Sequence, residues 1–242
     1  PPVERQTGTE VLVGGATAML IDVRDRVVGR FPLLIVAVVA LSFLLLMLVF
    51  RSVLVPLKAA IVNGLSICAA LGAVVAVFQW GWGVGLTGLD GKAEIISFVP
   101  TIMFAILFGL SMDYEVFLLS RVREEYLVER DTVESVTAGV RTTAQVITSA
   151  ALVMIAVFLS FLLNESTTVK MIGFGLAVAV LIDATIVRVV LVPSAMVLLG
   201  HANWWLPKWL DRILPHFDIE GETGLPPVGS EPAAVDLPDA AP

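Results

Sequence analysis

The sequence predicts an all-α polytopic membrane helix bundle of five transmembrane helices, and three observations lead there. Hydrophobic residues make up 57% of the chain and charged ones 15%, with a mean hydropathy of +0.93, whereas an average globular chain is about 25% charged. The apolar residues gather in runs at about 31–50, 57–79, 98–120, 143–163 and 170–199, each long enough for the ~20 residues that cross a bilayer. The basic residues favour alternate connections between those runs, as the positive-inside rule requires of a polytopic protein.

Residues 1–30 are mixed and polar. VLVGG (11–15) reads as a short strand and turn, and Met19, Val23 and Val27 at four-residue spacing predict a helix leading into the membrane. The stretch is too short to bury a core of its own and reads as the remnant of an extracytoplasmic domain. The chain opens on PPVERQTG, without Met or a signal-like pattern, and is expected to be a piece of something longer.

Span one closes at Arg51, and Lys58 stands at the start of span two. Asn63, Gly64, Ser66 and Gly72 suit helix contact better than lipid. Residues 80–94 are a glycine-rich loop, with Trp80 and Trp82 placed as interface anchors. Span three follows. Residues 121–141 mix Arg and Glu with spaced valines and predict a cytoplasmic interfacial helix, broken near Asp131. NESTT is a tight turn between spans four and five. Span five exceeds the needed length and is expected to tilt, to kink near Pro193 or to protrude. Residues 200–217, with Trp204, Trp205 and Trp209, read as an amphipathic surface segment, and 218–242 as a disordered acidic tail.

Arg51, Lys58, Arg121, Arg123, Arg130, Arg141, Lys208 and Arg212 fall on one side, against Lys92 and Lys170 on the other. The C-terminus is therefore expected in the cytoplasm and the N-terminus outside, in the plasma membrane. Arg24, Arg26 and Arg30 run against this, accompanied by Asp22 and Asp25. Cys68 lies alone in a span and reads as a packing residue.

Acidic side chains inside spans carry the functional signal, because a carboxylate at membrane depth is costly and marks a proton or ion site. Nothing is charged from Phe98 to Met112, and then come Asp113 and Glu115; span five repeats the pattern at Asp183. Pro100 to Asp113 and Lys170 to Asp183 are equal intervals, about 20 Å of helix each. The two aspartates are therefore expected at one depth, close enough for each to raise the other's affinity for a proton. Tyr114 is a candidate hydrogen-bond donor to a carboxylate, and Glu115 a second site or an inner-rim charge. Arg188, five residues past Asp183, either neutralises a nearby acid or snorkels to the headgroups, and snorkelling is the favoured reading, since i and i+5 diverge on an α-helix. His201 and His216 lack ligand spacing, and no metal is expected.

FGLSMDYEVFLLSRVREE (108–125) closely resembles the DY-containing helix of the MmpL-type transporters, within the resistance-nodulation-division superfamily. GFGLAVAVLIDATIVRVVLVPSAM (173–196) resembles the last span of that family, NWWLPKWLD (203–211) the segment after it, and VFRSVLVPLKAAIVN (49–63) the turn between two of its spans. The resemblance covers about residues 10–220. It implies a proton-driven exporter of lipids or other hydrophobic compounds, of which this chain holds the last five of twelve spans. It further implies that Asp113 and Tyr114 relay protons with a matching pair in the first half. No cofactor beyond the proton gradient is implied. The expected partners are membrane lipids, the missing N-terminal half and, as an open alternative, a homo-oligomer; no nucleic acid is expected. Two rival readings stand beside it: a non-transporting scaffold, and a membrane enzyme using Asp113 and Asp183, for which no nucleophile is placed.

Overall fold

The computed structural model describes residues 14–212. The strand read at VLVGG falls mostly outside that range, and His216 and the acidic tail wholly so. Within it the chain is an all-helical bundle with five apolar helices of membrane length.

Helix α1 (Ala16–Phe50) unites the predicted lead-in helix with span one in 35 residues, about 52 Å of helix. Arg51, in the left-handed region at φ 48°, ends it. Helix α2 (Leu54–Val74) closes in a π-helical turn, Val75–Gln79. Lys58, expected among loop charges, is instead buried inside α2 at 6% exposure. In the following loop Gly81, Gly83 and Gly88 take positive φ, a region open to glycine at little cost. Lys170 is likewise expected among the loop charges. It is buried, and its Nζ donates to the carbonyls of Thr87 at 2.8 Å and Gly88 at 3.3 Å.

Helix α3 (Phe98–Glu129) and helix α4 (Thr132–Ser160) form a hairpin. Residues 121–141 are thus not a separate helix; they are the facing ends of two spans joined by one turn. Arg130, at φ 55°, terminates α3, and the Asp131 carboxylate caps α4 by accepting from the N–H groups of Val133 and Glu134. The break lies where it was expected, but both helices run straight through the charged stretch.

Helix α5 (Thr167–Ile182) passes into a π-helix, Asp183–Leu191, then α6 (Val192–Leu199), a 3₁₀ turn (Gly200–Trp204) and the short α7 (Lys208–Asp211). The irregularity expected at Pro193 begins earlier, at Asp183. Pro193 itself sits in the first turn of α6, which continues from the π-helix without a break, so its missing N–H leaves a carbonyl of the preceding turn without a helical donor.

The spans containing α2, α3 and α5 form the interior, with 39–44% of their apolar windows buried, whereas α1 and α4 lie outside at 11%. Close approach depends on small residues. A Cβ on Gly173 would stand 2.6 Å from the Phe158 carbonyl oxygen and 2.5 Å from Phe161 Cβ, whereas one on Gly109 meets nothing within 4 Å. Because the α4 backbone cannot yield as a side chain can, Gly173→Ala is expected to cost about 1–3 kcal/mol. Thermal unfolding in detergent should show it, with Gly109→Ala unchanged.

Candidate functional site

Two apolar clusters divide the bundle along its length. One gathers Ile67, Val74, Phe78, Met103, Phe104, Leu107, Met171 and Leu176; the other Leu46, Phe50, Val55, Val62, Leu118, Val122, Val187 and Met196. Between them, where α2, α3 and the π-helix meet, lies a layer of polar side chains: Asn63, Ser66, Ser111, Glu115, Asp183 and Arg188, all buried except the half-buried Asp183. Apolar packing above and below keeps water from screening these charges, so each interaction is stronger than at a surface.

Asp183 and Arg188 are the centre of the layer. Arg188 Nε donates to Asp183 Oδ2 at 2.8 Å and Nη2 reaches the same oxygen at 2.6 Å. This overturns the snorkelling expected for Arg188. A π-helix closes its hydrogen bonds on the fifth residue rather than the fourth, so position 188 returns to the face of position 183. Nη2 also donates to the Ser111 carbonyl at 3.1 Å, and the guanidinium lies 4.5 Å from the centre of the Tyr114 ring.

From Asp183 the network runs across α3 to α2. The Ser111 hydroxyl stands 3.0 Å from Asp183 Oδ1 and 2.8 Å from Asn63 Oδ1, and its single proton serves one of them at a time. Asn63 Nδ2 then donates to Glu115 Oε2 at 3.2 Å. Glu115 is the buried acid of the pair, facing inward. Glu115 Oε1, Lys58 Nζ and Arg188 Nη1 are buried without a hydrogen bond among the described residues. Four charges of balanced sign, Lys58, Glu115, Asp183 and Arg188, are thereby held inside the bundle.

Asp113 does not join them. It is exposed and makes no hydrogen bond or ion pair with the described residues, so the expected side-by-side pair with Asp183 is not formed. The helix period explains the separation: Ser111 and Glu115, four apart, face the core, and Asp113 between them faces away. Ile102, Ile106, Gly109, Asp113 and Phe117 form an uncovered stripe on α3. The Tyr114 hydroxyl contacts Met154 Sδ at 3.6 Å rather than a carboxylate. Lys58, Asn63 and Ser111 were missed as site residues. The signal was their recurrence in an apolar run, which helix packing also explains.

Among the described residues no three His, Cys, Asp or Glu side chains are grouped to hold a metal ion. The MMPL family profile matches residues 3–215. The chain belongs to the MMPL family. It is similar to the heme uptake protein MmpL11 of Mycobacterium tuberculosis, 48% identical over 211 residues, covering 87% of this chain and 22% of that protein. It is also similar to the mycolic acid-containing lipids exporter MmpL11 of Mycolicibacterium smegmatis, at 46% over 91% of this chain and 23% of the relative. The trehalose monomycolate exporter MmpL3 of the same organism is 36% identical over 90% of this chain and 21% of its own length. The chain thus spans about a fifth of the length of these relatives. Family membership and five apolar spans make it a multi-pass membrane protein, and MMPL membership sets aside the enzyme reading.

Proposed function

We propose that this chain is the C-terminal membrane module of a proton-driven exporter of lipids or other hydrophobic compounds, inactive without the N-terminal half. The observation that carries the reading is an intramembrane carboxylate, Asp113, left on an uncovered face while a neutralised charge network lies behind it. A costly acid without a partner among the described residues fits an element that completes itself against another. In this reading a helix of the first half covers the α3 stripe and places its own acid and tyrosine against Asp113 and Tyr114. The N-terminus is extracytoplasmic, the C-terminus is cytoplasmic, and the module works in the plasma membrane.

The chemistry follows from hydroxyl and guanidinium geometry. With Asp183 ionised, Ser111 donates to it and Arg188 holds it. With Asp183 protonated, the acid donates to Ser111, and Ser111 turns its proton to Asn63. The layer thus has two hydrogen-bonded arrangements that differ by one proton, and the Tyr114 ring packs against it on the Arg188 guanidinium.

The test is reconstitution of the full-length protein in liposomes carrying a fluorescent lipid cargo, with an imposed pH gradient. Export is expected to follow the gradient and to stop when an ionophore collapses it. Gradient-independent export would end the coupling claim. Ser111→Ala, which removes the switchable hydroxyl, is expected to slow gradient-driven export about tenfold, a loss of about 1.4 kcal/mol, with insertion unchanged.

A further inference from the structure

Within the polar layer, where α2, α3 and span five meet, lies a cavity of about 20 Å³. Asn63, Ser66, Ser111 and Asp183 line it, with apolar side chains such as Leu107 and Val180 closing the rest. We propose that it binds one water molecule, held by Ser66, Asn63 and Asp183 and exchanging hydrogen bonds with Ser111. Size is the first argument. A water needs about 10–15 Å³ of room for its centre and two to four polar partners. The cavity meets both conditions for a single molecule.

Ser66 supplies the second argument. Its side chain is buried at 6% exposure, yet its hydroxyl makes no hydrogen bond with the described residues. Serine and threonine in a helix commonly return their proton to a carbonyl one turn back, as Thr142, Thr143 and Thr185 do here. Ser66 makes no such bond and borders the cavity instead. A buried hydroxyl left without a partner is costly, and a water beside it removes the cost.

The hydrogen-bond count of the walls is the third argument. Asn63 Oδ1 and Asp183 Oδ1 both accept, and the single Ser111 proton serves one of them at a time. The remaining groups are engaged elsewhere: Asn63 Nδ2 donates to Glu115, and Arg188 holds the other Asp183 oxygen. A water accepts from Ser66 and donates to whichever acceptor Ser111 has left. Every group on the wall then stays paired when the Ser111 hydroxyl turns. A sodium ion would also suit these oxygens, but it would add a net charge to a buried layer in which Lys58 and Arg188 already balance Glu115 and Asp183. Count and charge together select a neutral ligand. The water site depends on hydroxyl geometry and not on proton coupling, so its test is separate from that of transport.

The experiment is cryo-electron microscopy of the full-length protein at a resolution that shows ordered water, with thermal unfolding of wild type and Ser66→Ala beside it. A peak is expected within about 2.6–3.2 Å of Ser66 Oγ and of Asn63 Oδ1 or Asp183 Oδ1. An empty cavity between well-ordered Ser66 and Ser111 side chains would overturn the site. Unfolding reads the same question by its sign. If the hydroxyl holds a water, Ser66→Ala should lower Tm by about 2 °C, with the exposed control Ser149→Ala unchanged. If the hydroxyl is unpaired, its removal should leave Tm unchanged or raise it, and that result would also overturn the proposal. Exchange of sodium for choline in the buffer is expected to leave Tm unaltered. A sodium-dependent rise in Tm that Ser66→Ala abolishes would overturn the water in favour of a cation.

Discussion

Asp113→Asn in the full-length protein is expected to reduce gradient-driven export at least about 100-fold, the scale of losing an obligatory proton-transfer group. Membrane insertion and thermal stability should stay as in wild type, because Asp113 is exposed and makes no hydrogen bond or ion pair with the described residues. That separation makes the variant informative. A carboxylate kept for packing would show itself in stability, and one kept for transport in flux. The energetic scale is adequate: one charge moved through 100 mV is worth about 2.3 kcal/mol, enough to tilt two helix arrangements a few kcal/mol apart. Undiminished export by Asp113→Asn would remove the residue from any relay and favour the scaffold reading.

Arg188→Gln is expected to destabilise the bundle by about 3–5 kcal/mol, because it leaves Asp183 half-buried with its charge uncompensated. Asp183→Asn should cost a similar amount by stranding Arg188. The double variant is expected to recover most of the loss, since a neutral pair of similar shape needs no partner charge. A double-mutant cycle by thermal unfolding in detergent reads the coupling directly. Strictly additive losses would show that the two side chains are adjacent without acting as a unit.

Five spans, the break at Asp131 and the intramembrane acids were legible in the sequence because each depends on local composition. Partners were not. Arg188 was assigned to the headgroups because α-helical spacing separates it from Asp183, and only the π-helix of Asp183–Leu191 brings the two together. No residue in DATIVRVVL marks that winding. The sequence favours Asp113 as the acid packed beside Asp183, with Glu115 a second site or an inner-rim charge, whereas the neighbours of α3 cover Glu115 and leave Asp113 exposed. Lys58 and Lys170 were miscounted for a related reason. A lysine at the end of an apolar run looks like a loop charge whether it meets solvent or, as Lys170 does, a carbonyl cage.

The π-helix has a mechanical consequence. A helix that closes on the fifth residue carries surplus chain relative to α-helical winding, and that surplus works as a swivel. Rewinding Asp183–Leu191 to α geometry would pull Arg188 off the Asp183 face and turn everything beyond it about the span's axis, including Met196 and Trp204. The contact between one acid and one guanidinium spans this π-helix, ahead of the C-terminal third of the span. Torque at the membrane's edge and charge at its centre become two readings of one joint.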